Sequence, residues 1–245
     1  MSASQKVILP DLVTHCTFPL RTNRHKVSVT SASKQWLFRG DALSLKRRQA
    51  FHGLRAGMLT AMCYPCAGAP QLRVCCDFLN YLFHLDNLSD DMDSRSTRTT
   101  ADVVLNALYH PNKAGEGRVG RMTAEYILSF LFALLALIIE VSMCSRSYWR
   151  RLRPTASPGT QARFTETFDF FFQAVAQQAR DRAAGTVPDL ESYIALRRDT
   201  SGCKPCWALI EYANNLDIPD EVMDHPVLRS LGQAANDLVT WSNVR

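Results

Sequence analysis

Apolar positions recur every three or four residues along most of this chain, and strand-like alternation is scarce. Residues 46–62 carry Ala50, Phe51, Leu54, Met58 and Met62 at helical spacing, and Pro65, Gly68 and Pro70 then break the chain. The spacing predicts further helices over 75–85, 99–109, 163–182, 189–198, 206–214 and 227–243, with a Gly-rich loop around Gly115, Gly117 and Gly120. Residues before about 31, with Pro10 and Pro19, read as irregular. The expected fold class is all-α, arranged as one domain over 1–245.

Within 75–85, Leu79, Leu82 and Phe83 form an inward stripe, and Asp86, Asp90 and Asp93 continue it. A solvated face would put its acids opposite the apolar stripe. Acids in line with it suggest the mouth of an apolar cavity, where carboxylates persist if they hold a cation. An acidic helix end without a ligand is the plainer alternative.

The stretch 127–144 breaks the pattern, being nearly uninterrupted apolar sequence with Glu140 its one charge. It is just long enough to span a bilayer, and Arg146, Arg150, Arg151 and Arg153 follow it as a cytoplasmic flank does. A buried core helix fits the same pattern.

At 245 residues, with 47% hydrophobic and 21% charged positions, the chain can bury a sizeable core. The net charge of +5 comes with scattered basic pairs such as Arg47-Arg48 and Arg197-Arg198, which gives nucleic-acid binding no support. The N-terminus lacks the layout of a signal peptide, so the eight cysteines read as reduced thiols of a cytoplasmic protein. Two CxxC pairs, Cys63/Cys66 and Cys203/Cys206, lie far apart in sequence with a proline inside each. Small core residues are a better reading of them than zinc ligands.

Oxygen donors such as Asp86, Asn87, Asp90 and Asp91 are hard ligands suited to magnesium, which prefers one or two carboxylates plus substrate phosphates. Metal bound to a diphosphate neutralises charge on the leaving oxygens. With an allylic substrate this leaves a carbocation, which aromatic faces stabilise by about 0.5–2 kcal/mol each. Phe78, Phe83, Trp207 and Trp241 are the candidate faces.

The chain resembles the class I terpene synthases, most closely the sesquiterpene cyclases of mushroom-forming fungi. The resemblance is carried in order by Leu9-Pro10-Asp11-Leu12, Phe18-Pro19-Leu20-Arg21, Tyr64-Pro65, Gln71-Leu72-Arg73, Cys76-Asp77-Phe78 and the acidic motif. Leu105-Asn106-Ala107, the stretch 193–198, Leu209-Ile210-Glu211-Tyr212 and Trp241-Ser242-Asn243 follow. It implies a helical bundle around an apolar pocket with magnesium at its mouth, and ionisation and cyclisation of farnesyl diphosphate, geranyl diphosphate being the shorter alternative. It places Asp86 and Asp90 on the first and last acids of the aspartate-rich motif, with Asn87 and Asp91 as neighbours, and Asn243 on the first residue of the second metal motif. It makes Arg197, or else Arg198, the diphosphate sensor. No second Asp-rich motif is present, so cyclase is preferred over chain-elongating enzyme.

Two departures accompany the likeness. The Ser and Glu that follow Asn in the family's second motif are not in the sequence, which ends at Arg245, so the expectation is a C-terminally truncated synthase with little or no turnover. Removing 127–144 restores a continuous family-like helix, so that run reads as intron-derived, with a core helix or membrane span as alternatives. The competing function is a catalytically dead relic or a membrane-associated helical protein anchored by 127–144.

Overall fold

The computed structural model describes residues 11, 14, 16–38, 45–89, 92–109, 141 and 144–243. Among these the secondary structure is helical, without strands. The helices are α1 (Lys26–Leu37), α2 (Leu45–Leu54), α3 (Ala56–Cys63), α4 (Ala69–Ser89) and α5 (Ser94–Tyr109), then α6 (Pro158–Ala184), α7 (Leu190–Thr200), α8 (Cys203–Asn214), α9 (Asp220–Met223) and α10 (Pro226–Ser242). Residues 144–152 form a further helical stretch. The apolar run 127–144 lies outside the described residues apart from Val141 and Cys144, both buried.

Helices α5 and α6 each begin five residues earlier than expected, at Ser94 and Pro158, and three other places differ for reasons the packing shows. The region before residue 31, expected to be irregular, contains most of the first turn and a half of α1, whose buried face is Val29, Ser33, Trp36 and Leu37. A serine inside that face hides its periodicity. The helix expected over 46–62 is split at Arg55, which takes a left-handed conformation (φ 50°). The split directs α3 against α1 so closely that a Cβ on Gly57 would lie 2.1 Å from Thr30 Oγ1. Pro70, expected to break the chain, instead occupies the first turn of α4, where its missing N–H costs nothing.

The longest helix among the described residues, α6, has local reasons for both ends. Ser157 caps it, its Oγ accepting from Thr160 N at 3.1 Å, and Pro158 is the first helical residue. Gly185, at φ 64°, ends it in the left-handed conformation that favours glycine.

The core forms where α4 meets α6 and the 144–152 helix. Phe78 is fully buried, with ring centroids 4.9 Å from Phe164, 5.3 Å from Phe168 and 5.7 Å from Tyr148. Edge-on ring pairs of this kind add about 0.5–1.5 kcal/mol each to the burial term. Phe78 is therefore a core ring, which corrects its reading as a cavity-lining face. Beside it Asp77 is buried, and its carboxylate accepts from Arg73 Nε at 2.8 and 2.9 Å and from Arg151. Burial pushes the Asp77 carboxyl up, against the two guanidinium groups that hold it charged. α1 joins α4 through Asn80 Nδ2, which donates to Ser33 Oγ at 2.8 Å, and α6 packs on both α5 and α8.

Candidate functional site

Asp86 and Asn87 stand exposed in the last turn of α4. The turn is ordered by local bonds. Asn87 Nδ2 donates to Phe83 O at 2.8 Å, and Ser89 Oγ donates to Asp86 O at 2.9 Å. Arg182, near the end of α6, donates to Ser89 O at 3.3 Å, so the C-termini of α4 and α6 lie side by side. The Arg182 cation at these helix C-termini is favourable on dipole grounds.

Asp90 and Asp91 lie outside the described residues. Asp93 does not continue the stripe. Its Oδ1 accepts from Ser96 N at 2.8 Å, which caps α5 and holds its carboxyl below the usual range.

The two candidate sensor arginines differ sharply. Arg198 Nε and Nη2 grip both oxygens of Asp237 on α10 at 2.7 Å each, and Asn236 Nδ2 donates to Arg198 O at 3.1 Å. These contacts fix α7 against α10. Arg197 Nη2 instead donates to the main-chain oxygen of Asn243 at 3.1 Å, at the very end of α10. Asn243 is itself exposed, and its own N–H bonds back to Val239 O at 3.2 Å. Tyr193, one turn before Arg197, sets its ring 6.2 Å from that of Trp241.

Gly202 joins the two regions. It takes φ 66° between α7 and α8, and a Cβ there would lie 3.0 Å from the Leu82 side chain. Leu82 precedes Asp86 by one helical turn. The break that follows Arg197 is thereby pressed onto α4 just below Asp86.

Arg163 on α6 donates from Nε and Nη2 to the buried carboxylate of Glu211 at 2.9 and 2.7 Å, to Ile218 O at 2.9 Å, and to Asp220. It clamps the α8–α9 connection and so sets where α10 begins. The signal available was Glu211 inside the buried face of α8, an acid where only a paired one is tolerated.

Of the other candidate faces, Phe83 and Trp207 are half-buried and Trp241 is exposed. A groove of about 750 Å³ runs between α6 and α7, lined by residues including Phe170, Gln177, Asp181, Ser192, Leu196 and Asp199. It does not include Asp86, Arg197 or Asn243, so it is not the cavity whose mouth the acids were expected to mark. Among the described residues no three His, Cys, Asp or Glu side chains stand together as a metal site. The donors that are described, a carboxylate and an amide oxygen at an exposed helix end, are of the hard type that suits magnesium. No helix among the described residues is long and apolar enough to cross a membrane.

Residues 77–243 match the family model described as terpene synthase family 2, C-terminal metal binding. A sesquiterpene synthase of Cyclocybe aegerita is 63% identical over 240 residues, covering 98% of this chain and 63% of the relative. Alpha-muurolene synthase of Coprinopsis cinerea is 51% identical over 237 residues, covering 96% and 52%. The chain thus spans less than two thirds of the length of these relatives. Among solved structures, a protein from ancestral sequence reconstruction superposes with TM-score 0.77 at 21% identity, covering 93% of this chain and 65% of that one. Germacradien-4-ol synthase from Streptomyces citricolor superposes with TM-score 0.69 at 23% identity, covering 91% and 67%. By the family match over most of its length, the chain belongs to terpene synthase family 2, a family of metal-binding terpene synthases.

Proposed function

We propose that this chain carries the diphosphate-binding face of a sesquiterpene-synthase-type lyase, which ionises farnesyl diphosphate, cyclises the allylic cation and releases diphosphate. The family supports the reaction class, and the relatives named as sesquiterpene synthases support the chain length of the substrate. The observation that carries the reading is the Gly202–Leu82 contact, which sets the end of α7 against α4 one turn below Asp86.

Asp86, Asn87, Asp90, Asp91 and Asn243 are the residues to hold magnesium. When bound, that ion supplies Lewis-acid neutralisation of charge on the leaving diphosphate. Arg197 binds diphosphate oxygens, exchanging its present bond to the Asn243 carbonyl for a charged acceptor. Arg198, committed to Asp237, holds α7 in register so that Arg197 points to the same end of the bundle as Asn243.

Incubation with farnesyl diphosphate and magnesium, with volatile hydrocarbons and released diphosphate both measured, tests the reading. The expected result is a small yield of product and released diphosphate that depends on magnesium and is lost in Asp86→Ala. Diphosphate release that survives both chelation and Asp86→Ala contradicts it. A parallel incubation with geranyl diphosphate decides the chain length, since a pocket built for the longer chain turns over the shorter one more slowly.

A further inference from the structure

The site described above uses neither CxxC pair, and the fold treats the two pairs differently from the expectation of small core residues. Cys63 and Cys66 are exposed, while Cys203 and Cys206 are half-buried. Cys203 opens α8, and Cys206 follows three residues later on the same helical face. Cys203 Sγ donates to Ser201 O at 3.8 Å, and Cys206 Sγ donates to Gly202 O at 3.5 Å. Both thiols therefore turn toward consecutive carbonyls of the α7–α8 break. The first pair is folded toward them. Tyr64, next to Cys63, donates its hydroxyl to Cys206 O at 2.8 Å, and Cys63 lies within electrostatic range of both Cys203 and Cys206.

We infer that Cys203 and Cys206 form a dithiol modification site, closed to a reversible disulfide within the first turn of α8 by oxidants of the disulfide class, such as oxidised glutathione. Side chains three residues apart on a helix have Cβ atoms about 5–6 Å apart. A disulfide needs about 3.5–4.5 Å, so the turn must tighten by about 1–2 Å. This turn is the part of α8 that tightens most easily. Its amides have no partners within the helix, and Pro205 has no N–H to lose.

The exchange balances. The Cys203 thiolate attacks one sulfur of oxidised glutathione, forming a mixed disulfide and expelling one glutathione thiolate, which takes up a proton. The Cys206 thiolate then attacks the Cys203 sulfur, forming the protein disulfide and expelling the second. Two protein thiols are oxidised, and one glutathione disulfide is reduced to two thiols. Cys203 stands first in α8, where the helix N-terminus favours a thiolate. Although burial pushes both thiols up, a Ser201 hydrogen bond and the Arg197 guanidinium oppose that shift at Cys203, so Cys203 attacks first. Closure also removes the S–H donors from the Ser201 and Gly202 carbonyls, and so loosens the break that follows Arg197.

The test is to incubate the protein with oxidised glutathione at mildly alkaline pH, alkylate the remaining thiols, and map the unreduced peptides by mass. The expected product has lost two hydrogens, carries its bridge between Cys203 and Cys206, and reverts with reduced glutathione. Cys206→Ser should stop at the mixed disulfide on Cys203, and Cys63→Ser should leave the rate of bridge formation within about two-fold. A bridge from Cys63 to Cys203 or to Cys66, or a wild-type protein that stops at mixed disulfides, overturns the assignment. Because the wild-type map is decisive by itself, a variant that fails to fold does not obscure the result.

Discussion

Arg197 Nη2 donates to the main-chain oxygen of Asn243 at 3.1 Å, tying the C-terminal part of α7 to the end of α10. Its neighbour Arg198 is held in both carboxylate oxygens of Asp237. Arg198 is thus committed to the scaffold, while Arg197, the proposed diphosphate ligand, holds one main-chain oxygen. Arg198→Ala should lower the melting temperature by a few degrees, because α7 loses its bidentate anchor. Arg197→Ala should leave the melting temperature nearly unchanged and weaken diphosphate binding. Thermal melts run beside anion titrations read both outcomes.

Arg163→Ala leaves the buried Glu211 carboxylate without its guanidinium. Breaking a buried pair from one side costs about 3–5 kcal/mol. Denaturant unfolding should show a loss near the lower end of that range, since Arg163 is partly reached by solvent. Glu211→Gln, which keeps the shape and removes the charge, should cost less.

Gly202→Ala faces two penalties at once. A left-handed backbone costs a non-glycine residue about 1–2 kcal/mol. The new methyl would also lie 3.0 Å from Leu82, although the ends of a leucine side chain give way more easily than backbone. The expected loss is about 2 kcal/mol by denaturant unfolding. Leu82 is itself buried, so the comparison is a cycle: in a Leu82→Ala background the crowding is gone and the backbone strain stays, and Gly202→Ala should cost less there than in wild type.

Asp93 caps α5 through Ser96 N, and Asp93→Ala should cost about 1 kcal/mol. Its folded pKa lies below the ordinary value of 3.8, so the unfolded state binds the proton more readily. The stabilisation is present in full above pH 3.8 and is lost as pH falls through the folded value. Acid unfolding of wild type and Asp93→Ala should therefore converge at the acidic end. A difference that persists unchanged through that range contradicts the cap.

Much of the fold was legible because amphipathic helices advertise themselves. The periodicity over 163–182 points to α6 and the stripe over 75–85 to α4, although the helices run over Pro158–Ala184 and Ala69–Ser89. Where packing overrides pattern, the sequence misled. Arg55 carries no breaker signal, yet the close approach of Gly57 to Thr30 forces the chain to turn there. Asp93 read as a site acid because it kept the spacing of Asp86, but a helix start three residues on made it a cap. Glu211 lies 48 residues from Arg163, and Arg151, the second guanidinium on Asp77, lies 74 residues from it, both beyond any local periodicity. The approach of Cys63 to Cys203 is equally non-local and was hidden for the same reason.

The central claim is that Asp86 on α4 and Arg197 on α7 serve one metal–diphosphate site. Calorimetric titration of inorganic diphosphate into the protein, with and without magnesium, tests it most directly. The account predicts binding that requires magnesium and falls at least about ten-fold in both Asp86→Ala and Arg197→Ala, while Arg182→Ala changes it less. Binding that is indifferent to magnesium, or that persists at full strength in either of the first two variants, would contradict it.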